Sequence, residues 1–214
     1  MLNRLDLRGV DLAGDLADVL PLPNIAGEGP RAAVRDIIAE VREHGDKTLI
    51  ELTERFDGVA LDTLRVTDAA LDAAVDGLSP KLRAAMETAI EGIERFHQHQ
   101  GRSPETIETD GMAIRAYQRP VRRAGLYVPG GRAEYPSTVL MTAVPARVAG
   151  VAEIALCVPP NAEDGGIAPS VLAAARLAGV TEVYAVGGAQ AVAAMAYGTA
   201  SIAPVDVIAG PGNI

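Results

Sequence analysis

The chain has 214 residues, 49% hydrophobic and only 3% aromatic with no Trp, so its core must be built from Ala, Val, Leu and Ile, as suits a buried parallel sheet flanked by helices. A net charge of −9 argues against nucleic acid as a general partner. The lone cysteine, Cys157, excludes an internal disulfide and agrees with a reducing compartment.

The charge is uneven. Residues 111–214 carry seven Arg and six acidic residues, which leaves twelve basic and twenty-two acidic residues in 1–110. An acidic first half is what solvent-facing helices give. Residues 1–25 read as an arm, ended by Pro21-Leu22-Pro23. It has acidic residues every few positions and no uninterrupted apolar run, so it is not a signal peptide. Its leucines and valines are too many for a solvated tail, and docking on a neighbouring surface, such as a partner subunit, is expected. No window approaches the ~20 apolar residues of a membrane span, and a cytoplasmic location is expected.

Residues 26–123 form a mainly helical part. Pro30 can open a helix, with Val34, Ile37, Ile38 and Val41 at helical spacing. His44-Gly45 stops it, and Asp46 is positioned to cap a second helix with Leu49, Ile50, Leu52 and Phe56 on its inner face, ending at Asp57-Gly58. Thr67 caps a third helix. Ser79-Pro80 opens a fourth, whose buried stripe is Leu82, Ala85, Met86, Ala89, Ile90, Ile93 and Phe96. His97 and His99 sit two apart at its end, so they point in different directions and read as exposed helix-end residues, not ligands. Met112–Gln118 alternates as a strand, with Thr106–Glu108 as its hairpin partner.

Residues 124–214 repeat strand and helix: strand Gly125–Val128, helix Ser137–Ala149, strand Glu153–Val158, helix Ala168–Ala178, strand Glu182–Val186, helix Ala189–Tyr197, strand Val205–Ala209. This alternation implies a parallel sheet with right-handed crossovers. The chain ends inside the loop after the last strand, as the first part of a longer protein would.

Three glycine-bearing loops follow these strands. The first, Pro129-Gly130-Gly131, comes after Tyr127 and before Ser137, a candidate helix cap; its adjacent glycines allow positive φ and close approach of a ligand. Alone it reads as an ordinary βα turn. The second, Gly187-Gly188-Ala189-Gln190, places a side-chain amide in a first helical turn. The third, Gly210-Pro211-Gly212-Asn213, places another amide beyond a strand end. Ligands of open α/β sheets bind beyond the carboxyl ends of strands, so the three loops are expected to share one ligand. The G-x-G-x-x-G fingerprint is absent, and no acidic residue stands ~20 positions after a glycine fingerprint to hold a ribose. The run Arg115, Arg119, Arg122, Arg123 and Arg132 can serve an anion, although a structural role is expected for most of it. Cys157, mid-strand in an apolar run, reads as buried and inert.

Together the motifs GLYVPGG (125–131), PSTVLM (136–141), PARVAG (145–150), VGGAQAVAAMAYGT (186–199) and VDVIAGPGN (205–213) closely resemble histidinol dehydrogenase. VREHGDKTLIELTERFDG (41–58) resembles the same family's N-terminal helices. The resemblance implies an α/β fold, a helical region followed by an incomplete Rossmann-like sheet related to aldehyde dehydrogenases. It also implies a zinc-dependent homodimer that oxidises L-histidinol through the aldehyde to L-histidine with two NAD+ reduced. The family's NAD-contacting Tyr, Gln and Asn fall on Tyr127, Gln190 and Asn213. Its zinc ligands, its catalytic Glu–His pair and most of its substrate pocket lie beyond Ile214, so no catalytic or metal-binding residue is assigned within the chain. A related NAD-dependent dehydrogenase of another alcohol, or a nucleotide-binding module without catalysis, stays open.

Overall fold

The computed structural model describes residues 5–9, 11, 20, 28–130, 134–163 and 165–212. The arm falls almost wholly outside these residues; of its apolar side chains Leu5, Leu7 and Leu20 are described, and they are exposed. The described residues form seven helices and six strands. They are α1 (Glu28–His44), α2 (Asp46–Asp57), α3 (Asp68–Asp76), α4 (Pro80–Gln98), β1 (Glu105–Thr109), β2 (Met112–Ala116), β3 (Arg123–Tyr127), α5 (Pro136–Val148), β4 (Glu153–Val158), α6 (Pro169–Ala178), β5 (Glu182–Ala185), α7 (Gly188–Tyr197) and β6 (Val207–Ala209).

β3 to β6 form one parallel sheet in the order β5-β4-β3-β6. From β3 the chain steps outward to β4 and β5, then returns across the sheet to pair β6 with the other edge of β3. Right-handed crossovers taken in opposite directions place their helices on opposite faces. α5 and α6 therefore share one face, where they pack together and against α3 and α4, while α7 lies on the other, against α1 and α2.

Both faces are covered, and the strands sort their side chains accordingly. Leu126, Ile154, Leu156, Val158, Val183 and Ala185 enter the core under α5 and α6. Ala155, Cys157, Tyr184 and Val186 enter the core under α7. This is why β4 is apolar throughout, from Ile154 to Val158. α7 lies close to the sheet because Gly125 has no side chain: a Cβ there would stand 2.6 Å from the Met195 sulfur. The free edge of β5 is covered by a segment absent from the sequence-derived elements. The Val66 N–H donates to the Val183 carbonyl, and the Ala185 N–H donates to the Leu64 carbonyl. β6 has no partner on its outer side among the described residues.

Local signals act mostly as read. Thr67 and Ser79 accept the N–H groups of Ala70 and Leu82, and Gly45 and Gly58 take the left-handed φ that ends α1 and α2. Two caps differ. Asp46 makes no cap on α2; its carboxylate accepts from the N–H and hydroxyl of Ser201, 2.6 Å away at the latter, and so ties α2 to the turn after α7. Ser137 does not cap α5 either, because the helix already begins at Pro136, one residue earlier. The apolar stripe of α4 is buried only at Met86 and Ile90, over its contact with α5; Leu82 and Phe96 overhang and are exposed, as is Phe56 on α2. The hairpin β1–β2 turns through Asp110-Gly111, with Gly111 at φ 80°. Both strands are exposed along their length, and Ile107 pairs with Ile114.

The amino ends of the strands are joined by charge. Arg123 is 2% exposed. Its guanidinium donates to Glu153 at 2.9 Å and to Glu182 at 2.5 Å, and the Tyr184 hydroxyl donates to the same Glu182 oxygen at 2.6 Å. Asp206 accepts the backbone N–H groups of Arg122 and Arg123, both at 2.9 Å. One side-chain cluster thus fixes the starts of β3, β4 and β5 and the approach to β6. The Arg123 hydrogen bond holds the Glu182 carboxyl below the usual carboxylate range. A lowered folded-state pKa contributes stability that is present above the unfolded value of about 4.3 and is lost as pH falls through the folded one. Arg123→Met, which leaves the buried end of Glu182 without its cation, should cost about 3 kcal/mol at pH 7 and much less at pH 3, read from urea unfolding. An equal cost at both pH values would rule out the charge pairing as its source.

Candidate functional site

The order β5-β4-β3-β6 reverses direction between β3 and β6, which makes the crevice beyond their carboxyl ends the topological switch point. Tyr127 ends β3 there, and the loop after β6 begins beside it. Gly210 lies against the Tyr127 carbonyl, and a Cβ at 210 would collide with that oxygen and stand 3.0 Å from the Tyr127 Cβ. Asn213 lies outside the described residues.

Tyr127 also reaches α7. Its hydroxyl accepts the backbone N–H of Gly188 at 3.1 Å, at the first residue of that helix. Gly188 sits at φ 65°, and a Cβ on it would stand 2.5 Å from Oε1 of Gln190. The positive φ favours glycine there, and any side chain would displace the Gln190 amide. Gln190 is 1% exposed, and its Oε1 accepts no hydrogen bond among the described residues. Buried amide oxygens in folded proteins are nearly always paired, so this one is an exception. The structure therefore brings Tyr127 and Gln190 to one place through a single hydrogen bond to Gly188.

The other glycines of these loops serve protein packing. A Cβ on Gly130 would stand 2.5 Å from Pro159, and one on Gly187 would also collide with Pro159. Pro159, just past β4, is wedged between the loops after β3 and β5 and holds them together. The approach that Gly130 permits is thus that of a proline. Next to this wedge lies a cleft of about 470 Å³, lined by Pro129, Tyr135, Val158, Pro159, Ile167 and Asp57, among others.

These loops follow the order expected of one known family, and the comparisons agree. The family model described as histidinol dehydrogenase matches residues 24–214. This chain belongs to the histidinol dehydrogenase family. A histidinol dehydrogenase of Synechococcus sp. is 53% identical over 186 residues, which is 86% of this chain and 43% of that protein. One from Streptomyces avermitilis is 46% identical over 218 residues, covering 100% of this chain and 49% of that protein. The crystal structure of histidinol dehydrogenase from Elizabethkingia anophelis superposes with a TM-score of 0.86 at 36% identity, over 93% of this chain and 46% of that one. The chain spans under half the length of the curated relatives it matches, as an N-terminal portion of a histidinol dehydrogenase does.

Measured against the family's motifs, the other candidate side chains fall into structural roles. Arg122 and Arg123 stand at the amino end of β3, the opposite edge of the sheet from Tyr127, and Arg119 lies over the Tyr117 ring at 4.8 Å. Arg132 lies outside the described residues. Cys157 is buried under α7, and desolvation pushes its thiol up to about 12, so it carries no thiolate at neutral pH. His97 and His99 bond Gln100 and the Arg95 carbonyl at their helix end. Among the described residues no group of three or more His, Cys, Asp and Glu is arranged to hold a metal. Sequence reasoning missed Pro159, whose role depends on two distant glycines, and Asp57, which it took only as a helix stop. Replacing Tyr127 by Phe removes the acceptor of the Gly188 N–H and should lower stability by about 1 kcal/mol, with faster amide exchange at Gly188. Unchanged exchange there would show that the bond does not hold the two loops.

Proposed function

We propose that this chain supplies the NAD-binding portion of a histidinol dehydrogenase, an enzyme oxidising L-histidinol through L-histidinal to L-histidine in the last steps of histidine biosynthesis. The observation that carries the reading is the family match over residues 24–214, on a sheet whose reversal of strand order provides a cofactor crevice. NAD+, when bound, supplies the hydride acceptor, and the protein supplies position and electrostatics.

The residues present fit a dinucleotide. Gln190 offers an amide with a buried unpaired oxygen, suited to a hydroxyl or amide donor on the cofactor. Tyr127, with its hydroxyl already fixed by Gly188, offers a ring of set orientation at the end of β3. Asn213 would complete the set from the loop after β6. In the full-length homodimer, zinc, a general base and most of the substrate pocket come from polypeptide following Ile214. The zinc would orient the alcohol, and this region would hold the cofactor against it. The reading places the enzyme in the cytoplasm; among the described residues no helix is long and apolar enough to cross a membrane.

Two outcomes test this. Isothermal titration should detect NAD+ binding, and Gln190→Ala should weaken it about tenfold, the scale of one hydrogen bond in a desolvated site. An unchanged affinity would remove Gln190 from the site. The 214-residue chain alone, purified from a host lacking its own histidinol dehydrogenase, should form no NADH from L-histidinol. NADH formation would overturn the division of labour between this cofactor-holding region and the polypeptide after Ile214.

A further inference from the structure

Asp57 ends α2 and forms one wall of the cleft beyond β3 and β4. Its place is fixed by the backbone around it. Gly58, at φ 71°, closes the helix by donating its N–H to the Glu54 carbonyl, and a Cβ on Gly58 would stand 3.8 Å from the Ala162 Cβ. The end of α2 is therefore seated on the loop that follows β4. One carboxylate oxygen of Asp57, Oδ2, is closed to solvent and accepts no hydrogen bond among the described residues. Burial raises the carboxyl above its usual range, with no basic side chain or hydrogen bond among the described residues to offset it. Such a group costs stability and holds nothing together in the fold. The terminal torsion of an aspartate is broad and roughly two-fold, so a flip exchanges its two oxygens.

The rest of the cleft defines what would bind. Pro129, Val158, Pro159, Pro160, Ile167 and Val171 give it apolar surface beside the polar Glu134, Asn161 and Glu163, and among the described residues no Lys or Arg lines it. Of the other carboxylates there, Glu134 already accepts the Ser170 hydroxyl. A phosphate would meet acidic groups and no cation among these residues. A metal is disfavoured as well, because the described carboxylates do not form a group able to hold one. A neutral planar base joined to a diol suits both the walls and the carboxylate.

In doubly wound sheets the acidic residue that takes the ribose hydroxyls stands at the end of the strand next to the first. Here that strand is β4, which ends at Val158; the chain then runs through Pro159-Pro160 before its next acid, the exposed Glu163. Asp57 brings a carboxylate to the same place from another helix. We propose that Asp57 accepts the adenosine ribose hydroxyls of NAD+ in this cleft and, by like charge, excludes the 2′-phosphate of NADP+. The proposal rests on the NAD reading above and assigns the residue that sets cofactor choice.

The test is isothermal titration of the protein at its natural length with NAD+, NADP+ and the NAD+ analogue lacking the adenosine 2′-hydroxyl. The wild type should bind NAD+ at least about tenfold more tightly than either of the others, since a site built to pair a hydroxyl rejects ligands without it. Asp57→Asn should narrow the NAD+ to NADP+ ratio about tenfold or more without lowering the melting temperature, because it relieves a desolvated charge. A ratio unchanged in the variant, or a wild type that binds the deoxy analogue as well as NAD+, would overturn the assignment while leaving the NAD reading intact. If the variant did not fold, the deoxy comparison on the wild type would decide alone. Failure of the wild type to bind NAD+ at all would sink the broader reading and this one with it.

Discussion

Everything in this chain depends on the burial of a four-stranded parallel sheet on both faces. Parallel strands cannot be joined by tight turns, so each pair needs a crossover, and the crossovers share one hand. Once β6 pairs with β3 instead of extending the sheet beyond β5, α7 must cross to the opposite face from α5 and α6. That reversal opens the crevice at the end of β3. It also explains the two separate cores and the side chains that alternate between them along β3, β4 and β5.

The two ends of the sheet differ in their polar chemistry. At the amino end, charge is paired: Arg123 bridges Glu153 and Glu182, Tyr184 adds a hydrogen bond to Glu182, and Asp206 takes two backbone N–H groups, while Nε of Arg123 is buried without a partner among the described residues. At the carboxyl end, polar groups are left unmatched, with Oε1 of Gln190 and Oδ2 of Asp57 both buried and unpaired among the described residues.

Between these ends, the glycines set how closely the loops approach. Gly130 and Gly187 make way for Pro159, Gly210 makes way for the Tyr127 carbonyl, and Gly188 makes way for the Gln190 amide. The loops after β3, β4, β5 and β6 are thus mutually supported before any ligand arrives. Preorganisation of this kind lowers the ordering cost of binding. It also changes the meaning of the glycine motifs, which here describe protein touching protein.

The sequence by itself determined the elements and their kind. The caps at Thr67 and Ser79, the glycine stops at 45 and 58, and the strand–helix alternation after Ala124 are local signals that act within a few residues. The ordered set of glycine loops also sufficed to show the family. The positions of Tyr127 at a strand end and Gln190 in a first helical turn were legible from the same signals. What the tertiary structure alone decided is whatever depends on residues far apart in the chain. That includes the return of β6 to β3, the covering of β5 by Leu64–Val66, the exposure of Phe56 and Phe96, and the wedge at Pro159. Asp57 is the clearest case. In sequence it is a helix end before a glycine; only the seating of α2 on the loop after β4 desolvates its carboxylate beside a cleft, and burial of that kind is a property of packing that no local pattern encodes.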